Sequence, residues 1–175
     1  TGTTTAGIVT GGSGASTGGT KCETWNGTSW TDVNDLSRGA PVTAYGTTCG
    51  TNTAALYYGG GAPASASALN EIWNGTCWSE SGGDMNTGRY ALMGFGTPTA
   101  ALAIGGNTGP STIVGNTEKY DGSTWTESGD LGTARERMAG GGTTSSGLIG
   151  GGVPNSNLSE EWNDPAYSIK TVTVS

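Results

Sequence analysis

The sequence predicts an all-β protein built from about four copies of one antiparallel, four-stranded unit. Three observations predict it. A short motif ending in two glycines recurs at near-constant spacing, an aromatic hairpin motif follows each copy, and no stretch carries a sustained helical period.

Composition agrees with short strands joined by many turns. Glycine supplies 34 of the 175 residues, and only 12 % of residues are charged. Apolar residues fall in short clusters between Gly- and Thr-rich turns, which is a strand pattern. So much glycine also suits a flexible linker, but the six Trp and six Tyr argue against one, because they recur at fixed places.

The first motif reads TAGIVTGG at Thr5–Gly12, TAALYYGG at Thr53–Gly60, TAALAIGG at Thr99–Gly106 and SSGLIGGG at Ser145–Gly152, in steps of 48, 46 and 46 residues. Each copy is a short buried strand that the double glycine ends. The second motif reads ETWNGTSWT at Glu23–Thr31, EIWNGTCWS at Glu71–Ser79, EKYDGSTWT at Glu118–Thr126 and EEWNDPAY at Glu160–Tyr167. Asn26-Gly27, Asn74-Gly75 and Asp121-Gly122 predict tight hairpins of type I′. The pairs Trp25/Trp30, Trp73/Trp78 and Tyr120/Trp125 flank those turns and are placed to pack across them.

A third motif precedes the first: Leu36–Thr47, Met85–Thr97 and Leu131–Thr143 carry an early arginine (Arg38, Arg89, Arg135) and end in Gly-Thr. Arg38 falls one place out of register, which predicts a one-residue deletion in that copy. Each unit thus holds an Arg-led strand, the strand ending in Gly-Gly, the Glu-x-Trp strand and the strand after the turn. Four strands at this period make a β-propeller blade. The blades run over about 1–34, 35–82, 83–129 and 130–175, in one domain of 1–175. Thr1-Gly2-Thr3 matches only the end of the Arg-led strand, so the first blade lacks its inner strand. An open inner edge needs a cover, either more of a longer propeller or another chain.

Charge and cysteines exclude several functions. The net charge of −7, with only seven Lys and Arg, disfavours nucleic acid and anionic membrane surfaces as partners. No apolar run approaches the ~18 residues of a membrane span, and the N-terminus has no signal-peptide pattern. Cys22, Cys49 and Cys77 are spaced by 27 and 28 residues, and there is no histidine, so neither a zinc site nor a Cys–His nucleophile is expected. Cys49 and Cys77 lie near turns at one end of the second unit, which leaves a disulfide between them open. No cofactor is expected.

The glutamates Glu23, Glu71, Glu118 and Glu160 each stand two residues before an aromatic. Four equivalent carboxylates do not divide into an acid and a base. They are expected to bond neighbouring backbone or to pair with a repeat arginine.

The double Gly, the aromatic after a variable loop and the Trp five residues on resemble the kelch repeat of β-propellers. The combination TAAL-x-x-GG, E-x-W/Y-D/N-G-x-x-W-T and L-x-T-A-R resembles more closely the divergent kelch-like repeat of bacteriophage virion proteins, above all those of marine cyanophages. The terminal SIKTVTVS at Ser168–Ser175 is similar to the Thr/Val/Lys-rich strand that ends many of them. The sialidase Asp-box does not fit, because Asp121 and Gly122 are adjacent.

The resemblance implies a non-enzymatic virion component, tail-associated, that binds a host surface glycan or protein, other virion proteins or copies of itself. A purely structural appendage and a bacterial surface adhesin are the alternatives, with a polysaccharide-degrading enzyme behind them. Binding is expected in the loops after each double Gly: Ser13–Lys21, Gly61–Asn70, Asn107–Thr117 and Val153–Ser159. They vary while the strands stay constant, as loops on a rigid scaffold do. The candidates are the serines of Ala64-Ser65-Ala66-Ser67, with Asn107, Thr108, Ser111, Asn155 and Asn157.

Overall fold

A computed structural model describes the chain except for residues 13–18, 38–44, 81, 155–156, 165–169 and 173–175. Every regular element among the described residues is a β-strand, and they form four antiparallel sheets and one small ribbon. The first sheet holds β1 (Gly7–Thr10), β2 (Cys22–Trp25) and β3 (Trp30–Val33). The second holds β4 (Thr47–Gly50), β5 (Ala55–Tyr58), β8 (Asn70–Trp73) and β9 (Trp78–Glu80). Its loop carries the ribbon of β6 (Gly61–Ala62) and β7 (Ser65–Ala66), which the sequence reading treated as irregular. The third holds β10 (Met93–Thr97), β11 (Ala100–Ile104), β12 (Thr117–Tyr120) and β13 (Trp125–Ser128). The fourth holds β14 (Ala139–Gly142), β15 (Ser146–Gly150), β16 (Ser159–Asn163) and β17 (Lys170–Val172). Strands pair in chain order within each sheet, β5 with β8 across the ribbon.

In the second and third sheets the Gly-Gly strand is buried on both sides, because each of these sheets packs between two neighbours. Alternate residues of a strand face opposite ways. In β5, Ala55 and Tyr57 turn back to the first sheet, where they pack with Ile8 and Cys22 beside Trp73 of their own sheet. Leu56 and Tyr58 turn forward onto Ala101, Ala103, Tyr120 and Trp125 of the third sheet. In β11 the forward residues Leu102 and Ile104 meet Ile149 and Trp162 of the fourth. The three cores are therefore three copies of one sheet-to-sheet junction. The first strands of successive sheets touch, β4 against β10 and β10 against β14, with β1 against β4.

The register corrects two sequence expectations. Gly50, not Gly46, is the equivalent of Gly96 and Gly142, since these three close the first strand opposite Ala55, Ala101 and Gly147. Gly2 takes the same place, bridging to Gly7, so the first sheet keeps the last residues of its inner strand. All four hold φ between 112° and 152°, and at Gly96 a Cβ would lie 2.2 Å from the Ala100 oxygen. Glycine is required there by both conformation and space. The second unit is thus three residues longer than the others between Ser37 and Tyr45, rather than one shorter. Arg38 itself lies outside the described residues.

The hairpin turns are also wider than type I′. Trp25 pairs with Trp30, Trp73 with Trp78 and Tyr120 with Trp125, which leaves four residues in each loop. Only the glycine takes positive φ, 95° at Gly27, 91° at Gly75 and 98° at Gly122. The Asn or Asp side chain does the rest: Asn74 Oδ1 accepts the Thr76 and Cys77 N–H at 2.9 and 3.0 Å. The same donors on Asp121, from Thr124 and Ser123, hold its carboxyl down at about 2. The aromatic pairs do pack across the hairpins, with ring centroids 5.4, 5.4 and 4.9 Å apart.

Close approach at the junctions is set by glycine. Tyr58 crosses to the third sheet, where its hydroxyl donates to the Leu102 carbonyl at 2.7 Å. A Cβ on Gly94 would stand 2.0 Å from that hydroxyl. Gly94→Ala is expected to lower stability by about 1–3 kcal/mol through overpacking. Gly141→Ala, whose Cβ would meet nothing within 4 Å, is expected to change it by less than about 0.5 kcal/mol. Urea denaturation of the two variants checks this; equal effects would mean that the Tyr58 crossing does not set the spacing.

Candidate binding surface

The loops after each double Gly leave the sheets at the same end as the segments leading into each first strand, and the two are bonded together. Tyr90 and Asn107 exchange backbone hydrogen bonds at 3.0 and 2.9 Å, and Glu136 and Val153 exchange them at 3.1 and 2.9 Å. The segment before Arg89 also lies along the preceding loop, through Met85 N–H to Ala68 O and Arg89 N–H to Ser67 O, both 2.9 Å.

The root of this end is a buried arginine. The guanidinium of Arg89 donates to the Gly105 and Asn116 carbonyls and, at 2.9 Å, to Glu118. Arg135 repeats this with Gly151, Leu158 and, at 2.6 Å, Glu160. Both pairs are buried. Burial pulls the Arg89 guanidinium below its ordinary value, and the Glu118 carboxylate pushes the other way. The glutamate also accepts backbone N–H groups from the incoming segment: Ser37 on Glu71 at 2.8 Å, Asn86 on Glu118 at 2.6 Å and Gly132 on Glu160 at 2.7 Å. These three glutamates are held as ion pairs or backbone acceptors, as their repetition predicts. Glu23 in the first sheet is half-buried.

Two residues beyond Arg89 and Arg135, and at Tyr45 in the second unit, the backbone takes a rare form. Tyr45, Ala91 and Arg137 have φ of 56°, 53° and 55° without being glycine. Such strain persists where surrounding bonds fix it. Here Ala91 N–H donates to Tyr45 O and Arg137 N–H donates to Ala91 O, each at 2.8 Å. These bonds string three successive sheets together. The Tyr45 and Arg137 side chains stand exposed at this end. The sequence reading missed all three, because nothing local in Tyr, Ala or Arg demands positive φ.

The expected binding residues divide. Asn107 is buried, and its side chain holds its own loop: Oδ1 accepts Gly109 and Thr112 N–H at 3.1 and 3.2 Å, and Nδ2 donates to Glu136 at 3.3 Å. Ser67 is buried too, and its hydroxyl accepts the Leu69 N–H. These two are loop anchors and do not face solvent. Thr108 is half-buried, whereas Ser65, Ser111 and Asn157 are exposed. Asn155 lies outside the described residues, as do 13–18 of the first loop. Among the described residues this end offers hydroxyl and amide groups, the Tyr45 ring, the Arg137 guanidinium, the Val153 side chain and the Lys21–Asp35 pair. Among the described residues no group of three or more Cys, Asp and Glu could hold a metal ion, and no helix is long and apolar enough to cross a membrane.

The cysteines are free, including Cys49 and Cys77. Burial pushes the Cys22 thiol up to about 11 and the Cys49 thiol up to about 12, while Cys77 is exposed in its turn.

Comparison with protein-family models gives no match, and no curated protein matches the chain.

Two outcomes follow from this geometry. Arg89→Met leaves Glu118 buried without its cation, and is expected to cost about 3–5 kcal/mol; a loss under about 1 kcal/mol in urea denaturation would show that the pair does not hold the sheet. An aromatic disulfide reagent at pH 8 is expected to modify one thiol per folded chain, at Cys77, with Cys22 and Cys49 at least about a hundredfold slower because the thiolate is the reacting form. Rapid modification of three thiols would contradict the burial.

Proposed function

We propose that this chain is a kelch-like β-propeller module of a phage particle, tail-associated and non-enzymatic, whose loop-bearing end binds the host surface or a neighbouring virion protein. The observation that carries the reading is a constant framework under variable loops. Each described loop root is fixed by the same backbone bonds, while loop length and sequence change from sheet to sheet. Buried arginines and glutamates are spent on that framework, which leaves an exposed end of hydroxyls and amides with Tyr45 and Arg137. Such a surface suits sugar hydroxyls or a polar protein face. The resemblance of the repeat to phage virion proteins supplies the particle.

A structural role in the particle is the second reading. Val9 and Leu148, 45 % and 55 % exposed on opposite outer sheets, favour it. Loss of particle integrity on deletion, with adsorption unchanged in survivors, would select it.

Antibody-labelled electron microscopy of phage particles is the test. Label at the tail is expected, and Tyr45→Ala with Arg137→Ala should reduce adsorption at least about tenfold while leaving the melting temperature within a few degrees. Absence of label from every particle, with the epitope accessible in the free protein, would remove the virion assignment.

A further inference from the structure

The first residue after the Gly- or Ala-start of each Gly-Gly strand faces the next sheet, and the one after it faces the previous sheet. The forward position is Ile8, Leu56, Leu102 and Leu148. The first three are 0 % exposed, and Leu148 is 55 % exposed. The backward position is Val9, Tyr57, Ala103 and Ile149. Here the last three are 4 % exposed or less, and Val9 is 45 % exposed. The pattern breaks once at each end of the series, and in opposite senses. The fourth sheet has a forward face with nothing on it, and the first sheet has a backward face with nothing on it, among the described residues.

The outer hairpins repeat the asymmetry. Trp78 and Trp125 are 6 % and 5 % exposed because each is covered by the preceding sheet, Trp125 by the Tyr58 ring at 5.0 Å. Their counterpart Trp30 is 49 % exposed. The position that covers them is Thr10, Tyr58 and Ile104 in the first three sheets, and Gly150 in the fourth. The free forward face is therefore flat where the free backward face bears its indole.

We infer that these two faces are the halves of a fourth junction, and that their occupant is a second copy of this chain, docked head to tail. The forward face of one copy meets the backward face of the next, Leu148 and Gly150 against Val9 and Trp30. The argument is continuity with the three internal junctions: each joins a forward face to a backward face of the same repeat, and this chain carries one unused specimen of each. Contiguous exposed apolar side chains that are buried at every equivalent site mark an interaction surface. The contact is heterologous, so it closes into a ring or propagates as a filament. Internal junctions also bury Leu36, Met85 or Leu131 from the incoming segment. A contact made between separate copies depends on concentration. The inference stands on the sheets alone and does not need the virion reading.

Sedimentation equilibrium of the chain across a range of concentrations tests it. A mass rising with concentration from 17.4 kDa to twice that or a higher multiple is expected. Leu148→Arg and Trp30→Glu, both at half-exposed sites, should each remain folded by circular dichroism and weaken association at least about tenfold. Val9→Lys is the replacement should Trp30→Glu unfold. Mixed in equal amounts, the forward-face and backward-face variants retain one intact half each and should form a heterodimer. A chain that stays at 17.4 kDa throughout overturns the inference. So does association that survives Leu148→Arg, or variants that do not complement on mixing.

Discussion

In the third and fourth sheets the loop-bearing end hangs from one buried arginine each, Arg89 and Arg135. Arg89 reaches with its side chain into its own sheet and with its backbone into the one before: its guanidinium closes on Gly105, Asn116 and Glu118, while its carbonyl accepts the Gly60 N–H at 2.8 Å. Arg135 does the same for Gly106. An isolated guanidinium so buried would be strongly disfavoured. Carbonyls at the end of the Gly-Gly strand and the glutamate two residues before the aromatic offset that cost together, so all three motifs are parts of one arrangement. Such pairs add little net stability against an apolar replacement. Their contribution is positional, since a five-donor fork accepts only one relative placement of strand end, loop base and carboxylate.

This explains why the sequence was legible to the depth it was. The Gly-Gly strand, the aromatic hairpin and the repeated glutamate each answer a local demand: two buried faces, cross-strand ring contact, a backbone acceptor. Their residue types therefore recur at fixed spacing. The positive-φ row at Tyr45, Ala91 and Arg137 answers no local demand. It exists because a neighbouring sheet offers a carbonyl at the right height, and three unrelated residue types tolerate it. The register of the second unit was misread for a similar reason. Gly46-Thr47 imitates the strand-closing pair, and only the ladder opposite Ala55 distinguishes it from Gly50-Thr51.

The candidate surface was half legible. Composition separates loop from framework, and it directs attention to the segments after each double Gly. It does not separate anchors from exposed groups. Asn107 and Ser67 have the polar chemistry of binding residues, yet their hydrogen bonds are spent inside the loops. A buried amide that satisfies two backbone N–H groups makes a loop stiff. Ser111, two residues beyond Gly109, then rides on that stiffness. A stiff polar loop loses less entropy on binding than a floppy one, so under the proposed reading the anchors serve recognition without touching a ligand.

The same frame limits where variation can go. A strand residue in the second or third sheet faces a neighbour on either side, and its size is fixed by what stands opposite: Tyr58 requires Gly94, and Phe95 requires Gly147, whose Cβ would lie 2.4 Å from the Phe95 ring. Change at one such position needs a matching change in another sheet. The loop tips beyond Pro63 and Pro110 meet no such requirement, because the side chains that hold their roots, Ser67 and Asn107, lie outside the tips. Constraint at the junctions and at the loop roots, set against its absence at the tips, thus divides the molecule into a part that must stay and a part that is free to diverge. That division is what a scaffold for changing surfaces needs.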